Sequence, residues 1–314
     1  MSDPGPTVGV VVMAYGTPGG PDQVEAYYTH IRRGRPPTDE QLANLRARYD
    51  ALGGTSTLAA RTAAQVAVLD AALADRAPGR FAVTLGQKHA SPFVEDGVAT
   101  LAGAGVGHVV GVVLAPHYSR ASVGEYQARA GEAAAAAGLG FTAVDRWHDL
   151  AAHRAFLAEA VRAALADLPP ATEVVFTAHS LPERVLADDP YADELAESAR
   201  AVAEAVGLPP ADGDRHDAPT WSIGWQSAGA TPEPWRGPDI GEVLRQVAGD
   251  GRADAVLVCP HGFVADHLEV AYDLDLEAAG LARDLGIDFA RTRVLNDDAT
   301  VLAALADRVG AAAP

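Results

Sequence analysis

The 314-residue sequence predicts an α/β protein of two Rossmann-like domains, each a parallel four-stranded sheet flanked by helices, with a cleft between them. Three observations carry that prediction. Short, β-branched apolar runs alternate with helical stretches along the chain, the pattern of parallel sheets with helices on both faces. Val109-Val110-Gly111-Val112-Val113-Leu114-Ala115-Pro116-His117 is echoed by Ala255-Val256-Leu257-Val258-Cys259-Pro260-His261, so the chain reads as a duplicated unit. Finally, Tyr15, His89, His117, His179 and His261 all fall at strand ends. The carboxyl ends of strands are where open α/β sheets bind ligands.

In order, Val8 to Ala14 is an apolar strand closed by the loop Tyr15-Gly16-Thr17-Pro18-Gly19-Gly20, and Pro21-Asp22 starts a helix running to about Ile31. Thr38 caps a helix to Leu52, which Gly53-Gly54-Thr55-Ser56 breaks, and Thr57 to Ala74 is a second long helix. Strand Phe81–Leu85 is followed by a helix from Ser91 to Ala104, strand Gly107–Leu114 by a helix from Ser122 to Ala137, and strand Phe141–Val144 by a helix from Leu150 to Ala166. Glu173 to Phe176 is short, β-branched and bounded by turn formers, hence a buried strand, and Thr177-Ala178-His179-Ser180-Leu181-Pro182 follows it. A helix from about Pro190 to Val206 comes next, then a Pro/Asp/Gly-rich surface loop from Pro209 to Pro219 and a strand from Trp221 to Trp225. Three prolines keep helix out of Gly229 to Pro238. Helix Asp239–Ala248, strand Ala253–Cys259, a long helix from Val264, strand Phe289–Leu295 and helix Asp298–Val309 complete the chain. The expected domains are residues 1–115 with 299–314, and residues 116–298.

Composition excludes several functions. No window approaches the ~20 apolar residues of a membrane span. Met1-Ser2-Asp3-Pro4-Gly5-Pro6 lacks the regions of a signal peptide, so a soluble, cytoplasmic protein is expected, and a monomer. The lone cysteine, Cys259, lies in an apolar strand, reads as a core thiol, and cannot by itself hold an iron–sulfur cluster. A formal charge of −18 opposes nucleic-acid binding. Against that background His30-Ile31-Arg32-Arg33-Gly34-Arg35, with Arg46 and Arg48, is a local cation cluster suited to carboxylates or phosphates, if not merely a solvated patch.

Neither a P-loop, a dinucleotide glycine fingerprint, a zinc-finger array nor a nucleophile elbow is present. A single histidine at a strand end is more often structural than catalytic, but the recurrence at strand ends points to a shared cleft. In the helix after His267, Glu269, Asp273 and Glu277 are spaced i, i+4 and i+8. That spacing forms either a solvated acidic face or a carboxylate ladder for a divalent cation or for departing protons. His179 with Glu269 would suit ferrous iron or zinc.

Met13-Ala14-Tyr15-Gly16-Thr17-Pro18, Tyr27-Tyr28-Thr29-His30-Ile31-Arg32-Arg33-Gly34-Arg35, Gly53-Gly54-Thr55-Ser56, Thr177-Ala178-His179-Ser180-Leu181-Pro182, Gly224-Trp225-Gln226-Ser227 and Gly262-Phe263-Val264-Ala265-Asp266-His267-Leu268-Glu269 together resemble the ferrochelatases. The likeness is greatest to the Gram-positive type that uses coproporphyrin III. It covers nearly the whole chain, in the family's order. The resemblance implies a chelatase-like pair of domains with the porphyrin between them, His179 and Glu269 as the catalytic pair that also meets Fe²⁺, and Tyr15 as an axial ligand on the ring's other face. It further implies that Arg32, Arg48, Ser56 and Tyr126 bind propionates, and that Asp273 and Glu277 form an outer metal or proton relay.

The chemistry agrees with this. Insertion of Fe²⁺ expels two pyrrole protons, and an imidazole of ordinary pKa ~6.5 accepts one at neutral pH. Coproporphyrin carries four propionates and protoporphyrin two, and the arginine cluster is this chain's best candidate to meet them. The expected reaction is iron insertion into coproporphyrin III to give coprohaem, in haem b biosynthesis, with coproporphyrin III and Fe²⁺ as the partners. Fe²⁺ is then a substrate, and no permanent cofactor is expected. Many actinobacterial relatives carry cysteines for a [2Fe–2S] cluster, and the membrane-associating tail of eukaryotic members is a further family feature; neither is expected here. His261 stands where many relatives have an aliphatic residue, and would either alter metal choice or fill a wall. Alternatives are the same chemistry on protoporphyrin IX or another tetrapyrrole, and a non-catalytic tetrapyrrole or metal carrier.

Overall fold

A computed structural model describes residues 7–229 and 231–314. Residues 1–6, on which the expectation of no leader peptide rests, lie outside the described residues. Two compact units emerge: one of residues 1–147, 265–268 and 296–314, the other of residues 148–264 and 269–295.

The first unit holds strands β1 (Val8–Ala14), β2 (Phe81–Gln87), β3 (His108–Val113) and β4 (Gly140–Val144) in the order β2-β1-β3-β4, all parallel. Its helices are α1 (Val24–Ile31), α2 (Asp39–Ala51), α3 (Leu58–Arg76), α4 (Val94–Gly103), α5 (Glu125–Ala136) and, at the chain's end, α12 (Ala299–Ala312). All seven residues of β1 are buried, as befits a strand covered on both faces. Val11, Met13, Val94, Val98, Leu101 and Val109 anchor the core on one side of this sheet.

In the second unit lie β5 (Thr172–His179), β6 (Thr220–Gln226), β7 (Ala255–Cys259) and β8 (Asp288–Arg291), in the order β6-β5-β7-β8 and again all parallel. Around them are α6 (Ala151–Leu165), the single turn α7 (Glu183–Leu186), α8 (Tyr191–Val206), α9 (Ile240–Asp250), α10 (Leu268–Ala271) and α11 (Ala279–Leu285). α10 begins at the last residue of the segment that the first unit claims. The two sheets share one strand permutation, and the echoed segments β3 and β7 occupy equivalent places in it. In each, the first strand has neighbours reached in opposite directions, which makes its carboxyl end a topological switch point. Tyr15 follows β1 and His179 ends β5.

Three boundaries differ from expectation. The domain change lies at 147/148 rather than 115/116, because β4 pairs with β3 and the Trp147 indole donates to the Val113 carbonyl at 2.9 Å. The last strand stops at Arg291, since β7 ends at Cys259 and Pro260 follows it. The helix expected from Val264 starts only at Leu268. The Asp266 N–H donates to Asn296 Oδ1 and its carbonyl accepts from Thr57 Oγ1, so this stretch is held outside helical hydrogen bonding. Beyond α10 the chain widens into a π-type turn, Asp273–Ala278, where the Glu277 N–H reaches back to the Tyr272 carbonyl. The carboxylates at i, i+4 and i+8 therefore do not share one face: Glu269 is half-buried, Asp273 buried and Glu277 exposed.

Candidate active site

β5 runs further than its apolar core, and His179 is its last residue, paired in register with Gln226 of β6. The loop after β7 lies against this strand end because residue 262 is glycine. A Cβ there would stand 2.5 Å from Ala178 Cβ and 2.9 Å from its Cα, while the Gly262 N–H donates to the Thr177 carbonyl.

His179 Nδ1 donates to the Ser180 carbonyl at 2.5 Å, which turns Nε2 toward Glu269 Oε1, 3.6 Å away. The two side chains remain 35% and 33% exposed, so the pair is reachable. Burial alone would depress the imidazole pKa. The Glu269 carboxylate, the Ser180 carbonyl and Asp273 outweigh it and raise His179 to about 9. At neutral pH the resting pair is thus an imidazolium–carboxylate holding one proton, not the neutral imidazole that an unperturbed pKa suggests.

Residues to which sequence reasoning gave no role hold the pair in place. Buried Gln226 donates from Nε2 to the Glu269 carbonyl at 2.8 Å, and its Oε1 accepts from buried Thr177 Oγ1 at 2.8 Å. Ser227, with φ +61° outside the usual range for a non-glycine residue, donates from Oγ to Asp273 Oδ2 at 2.5 Å. Tyr191 donates to the His179 carbonyl, and burial pushes its phenol pKa well up, keeping it a donor. The Gly-Trp-Gln-Ser motif marked this stretch, but a glutamine whose partner is a carbonyl 43 residues away leaves no local pattern.

His261 is a wall residue. It is buried edge-on against Phe176, donates from Nε2 to the Leu195 carbonyl at 3.2 Å, and burial lowers it to about 4, so it stays neutral. Cys259 is a buried thiol that burial raises to about 12. Among the described residues no group of three or more His, Cys, Asp or Glu side chains is placed to hold a metal ion.

In the first unit the remaining expected site residues are spread over several elements. Tyr15 is 44% exposed, tilted against His89. Arg32 closes α1, its guanidinium over the Tyr28 ring and its Nε donating to the Arg35 carbonyl. Arg48 lies in the last turn of α2 and is partly buried. Ser56 Oγ accepts from the Leu58 N–H at the start of α3. Tyr126 is buried in the core with the Lys88 ammonium 5.1 Å from its ring centroid, and Lys88 pairs with Glu125. No helix among the described residues is long and apolar enough to cross a membrane.

The fold is that of the chelatases. The solved sirohydrochlorin chelatase SirB from Bacillus subtilis subspecies spizizenii, in complex with cobalt, matches 98% of this chain and 95% of its own at a TM-score of 0.56 and 13% identity. The family is narrower: a model described as Ferrochelatase matches residues 7–313, and the chain belongs to the ferrochelatase family. Coproporphyrin III ferrochelatase of Geobacillus kaustophilus (strain HTA426) is 41% identical over 312 residues, 96% of this chain and 95% of the relative. A relative from Herpetosiphon aurantiacus named simply ferrochelatase is 41% identical over 296 residues, 92% of this chain and 93% of its own length.

Proposed function

We propose that this chain inserts Fe²⁺ into coproporphyrin III to give coprohaem, with His179 and Glu269 receiving the pyrrole protons. The chain is a metallochelatase, a lyase whose substrates are a porphyrin and ferrous iron. The observation that carries the assignment of residues is the 3.6 Å approach of His179 Nε2 to Glu269 Oε1 at the carboxyl end of β5.

The raised pKa gives the pair an order of events. In the resting pair the proton rests on the imidazole because Glu269 is anionic. Fe²⁺ arriving against the carboxylate cancels that support and adds positive charge, so the imidazolium gives up its proton to solvent water at the part-exposed ring. The neutral imidazole then takes a pyrrole proton as the metal–nitrogen bonds form, and the second leaves through the carboxylates. Asp273, held by Ser227, and exposed Glu277 lead outward to solvent. Tyr15 is proposed as the axial metal ligand, and Arg32, Arg48, Ser56 and Tyr126 as propionate contacts.

Anaerobic mixing with Fe²⁺ and coproporphyrin III tests the reaction. The free-base Q bands collapse and the Soret band shifts as metal enters, whereas tight porphyrin binding without that change would favour a carrier. Arg32→Ala is expected to raise the KM for coproporphyrin III by about tenfold, the loss of one charge-assisted contact of roughly 1.5–3 kcal/mol screened at an exposed site. An unchanged KM would remove Arg32 from the propionate set.

The pair also makes a spectroscopic prediction. With its folded pKa raised, the imidazolium contributes stability that is complete below the unfolded value of ~6.5 and lost as pH rises through about 9. Followed by NMR, His179 should titrate near pH 9 in the native chain. In Glu269→Gln it should titrate toward the ordinary ~6.5 or below, because burial then dominates. A midpoint that ignores the substitution would dissolve the pairing.

A further inference from the structure

Two imidazoles outside the proposed proton-accepting pair meet in the first unit. His30, in the last turn of α1, and His89, after β2, bring their Nδ1 atoms to 2.9 Å, rings nearly edge-on with centroids 5.2 Å apart. Each ring is braced by an aromatic neighbour. His30 stacks on Phe93 at 5.3 Å and 26°, and His89 leans on Tyr15 at 4.7 Å. The His89 N–H donates to the Tyr15 carbonyl, which fixes the backbone beneath the ring. His89 is partly buried, and Lys88 precedes it in the chain. The Lys88 charge is itself met by Glu125 at 2.7 Å.

Two imidazole nitrogens at this distance share one proton. The same distance is also the bite of two metal–nitrogen bonds of about 2.0–2.1 Å meeting at roughly a right angle. A tetrahedral angle would need about 3.3 Å between the nitrogens. Right-angle geometry belongs to tetragonal Cu²⁺ and Ni²⁺, and nitrogen sites favour Cu²⁺ over Zn²⁺ in any case.

We infer that His30 and His89 form a two-histidine site for a divalent first-row cation of right-angle geometry, Cu²⁺ foremost and Ni²⁺ ahead of Zn²⁺. On binding, the shared proton moves through water to Nε2 of its own ring. Both rings stay neutral, and both Nδ1 lone pairs point at the metal. The site does not rest on the His179–Glu269 assignment, and it abuts Tyr15, the proposed axial ligand.

The test is titration of the full chain with Cu²⁺ alone, in the Glu269→Gln background so that the other pair is silenced, followed by calorimetry and electron paramagnetic resonance. One Cu²⁺ per chain with hyperfine coupling to two nitrogens is expected. Affinity should fall at least tenfold in His30→Asn and in His89→Asn alike. His30 is exposed, so its variant reports on the site even if the His89 substitution disturbs folding, which a thermal melt would reveal. Loss in the His89 variant alone would mean a single imidazole ligand and overturn chelation. Unchanged affinity in both, or Zn²⁺ binding more tightly than Ni²⁺, would reduce the contact to an ordinary N–H···N hydrogen bond.

Discussion

His179→Ala is expected to lower kcat for iron insertion by roughly 10²–10⁴-fold, the usual range for a removed general base, while the porphyrin KM stays within about threefold. The reason is positional. His179 is the imidazole at this strand end with its Nδ1 committed to the Ser180 carbonyl and its Nε2 directed at a carboxylate. His261, the nearest in sequence logic, is buried and bonded to the Leu195 carbonyl, so it does not replace it. Single-turnover absorbance under anaerobic conditions measures the loss, and full activity in the variant would mean that another group takes the proton.

The largest effect on stability is expected at Glu173, remote from this chemistry. Its side chain is 2% exposed and accepts from Arg252 Nε at 2.7 Å and from Ser222 Oγ at 2.6 Å, tying β5, β6 and the chain before β7 together. Glu173→Ala removes the buried partner of the Arg252 guanidinium, itself only 12% exposed, leaves it only the exposed Asp250 carboxylate at 2.9 Å, and strips Ser222 Oγ of its acceptor. Breaking one side of a buried ion pair costs about 3–5 kcal/mol, so the melting temperature of the second unit should drop by about 10 °C. The paired replacement Glu173→Leu with Arg252→Met should recover most of that, because desolvation of both charges disappears together. Calorimetric melts decide the matter; a single-variant loss below about 1 kcal/mol would mean that water already screens the pair.

Local pattern was enough to find every strand, since β-branched apolar runs between turn formers seldom fold as anything but buried strands. It was enough too for the echo of β3 in β7, whose equivalent places in the two sheets give the duplication a structural meaning. What escaped it was non-local. The start of α10 is set by Asn296 and Thr57 capturing Asp266, partners 30 and 209 residues away. The domain boundary depends on β4 choosing β3, which a spacing argument cannot see. At the site, His179 and Glu269 were legible as residue types, and the family resemblance joined them. The raised imidazole pKa was not legible, because it depends on a carboxylate 90 positions along the chain. Nor was the burial of Tyr126, whose helix reads as amphipathic whichever side its ring takes.

The most direct test of the central proposal is a side-by-side anaerobic assay of the native chain with Fe²⁺ and either coproporphyrin III or protoporphyrin IX, comparing kcat/KM. Two additional propionates meeting an arginine-rich excursion on a chain of net charge −18 should favour coproporphyrin III by roughly tenfold or more. An equal or higher kcat/KM for protoporphyrin IX would contradict the proposed substrate while leaving the metal-inserting pair intact.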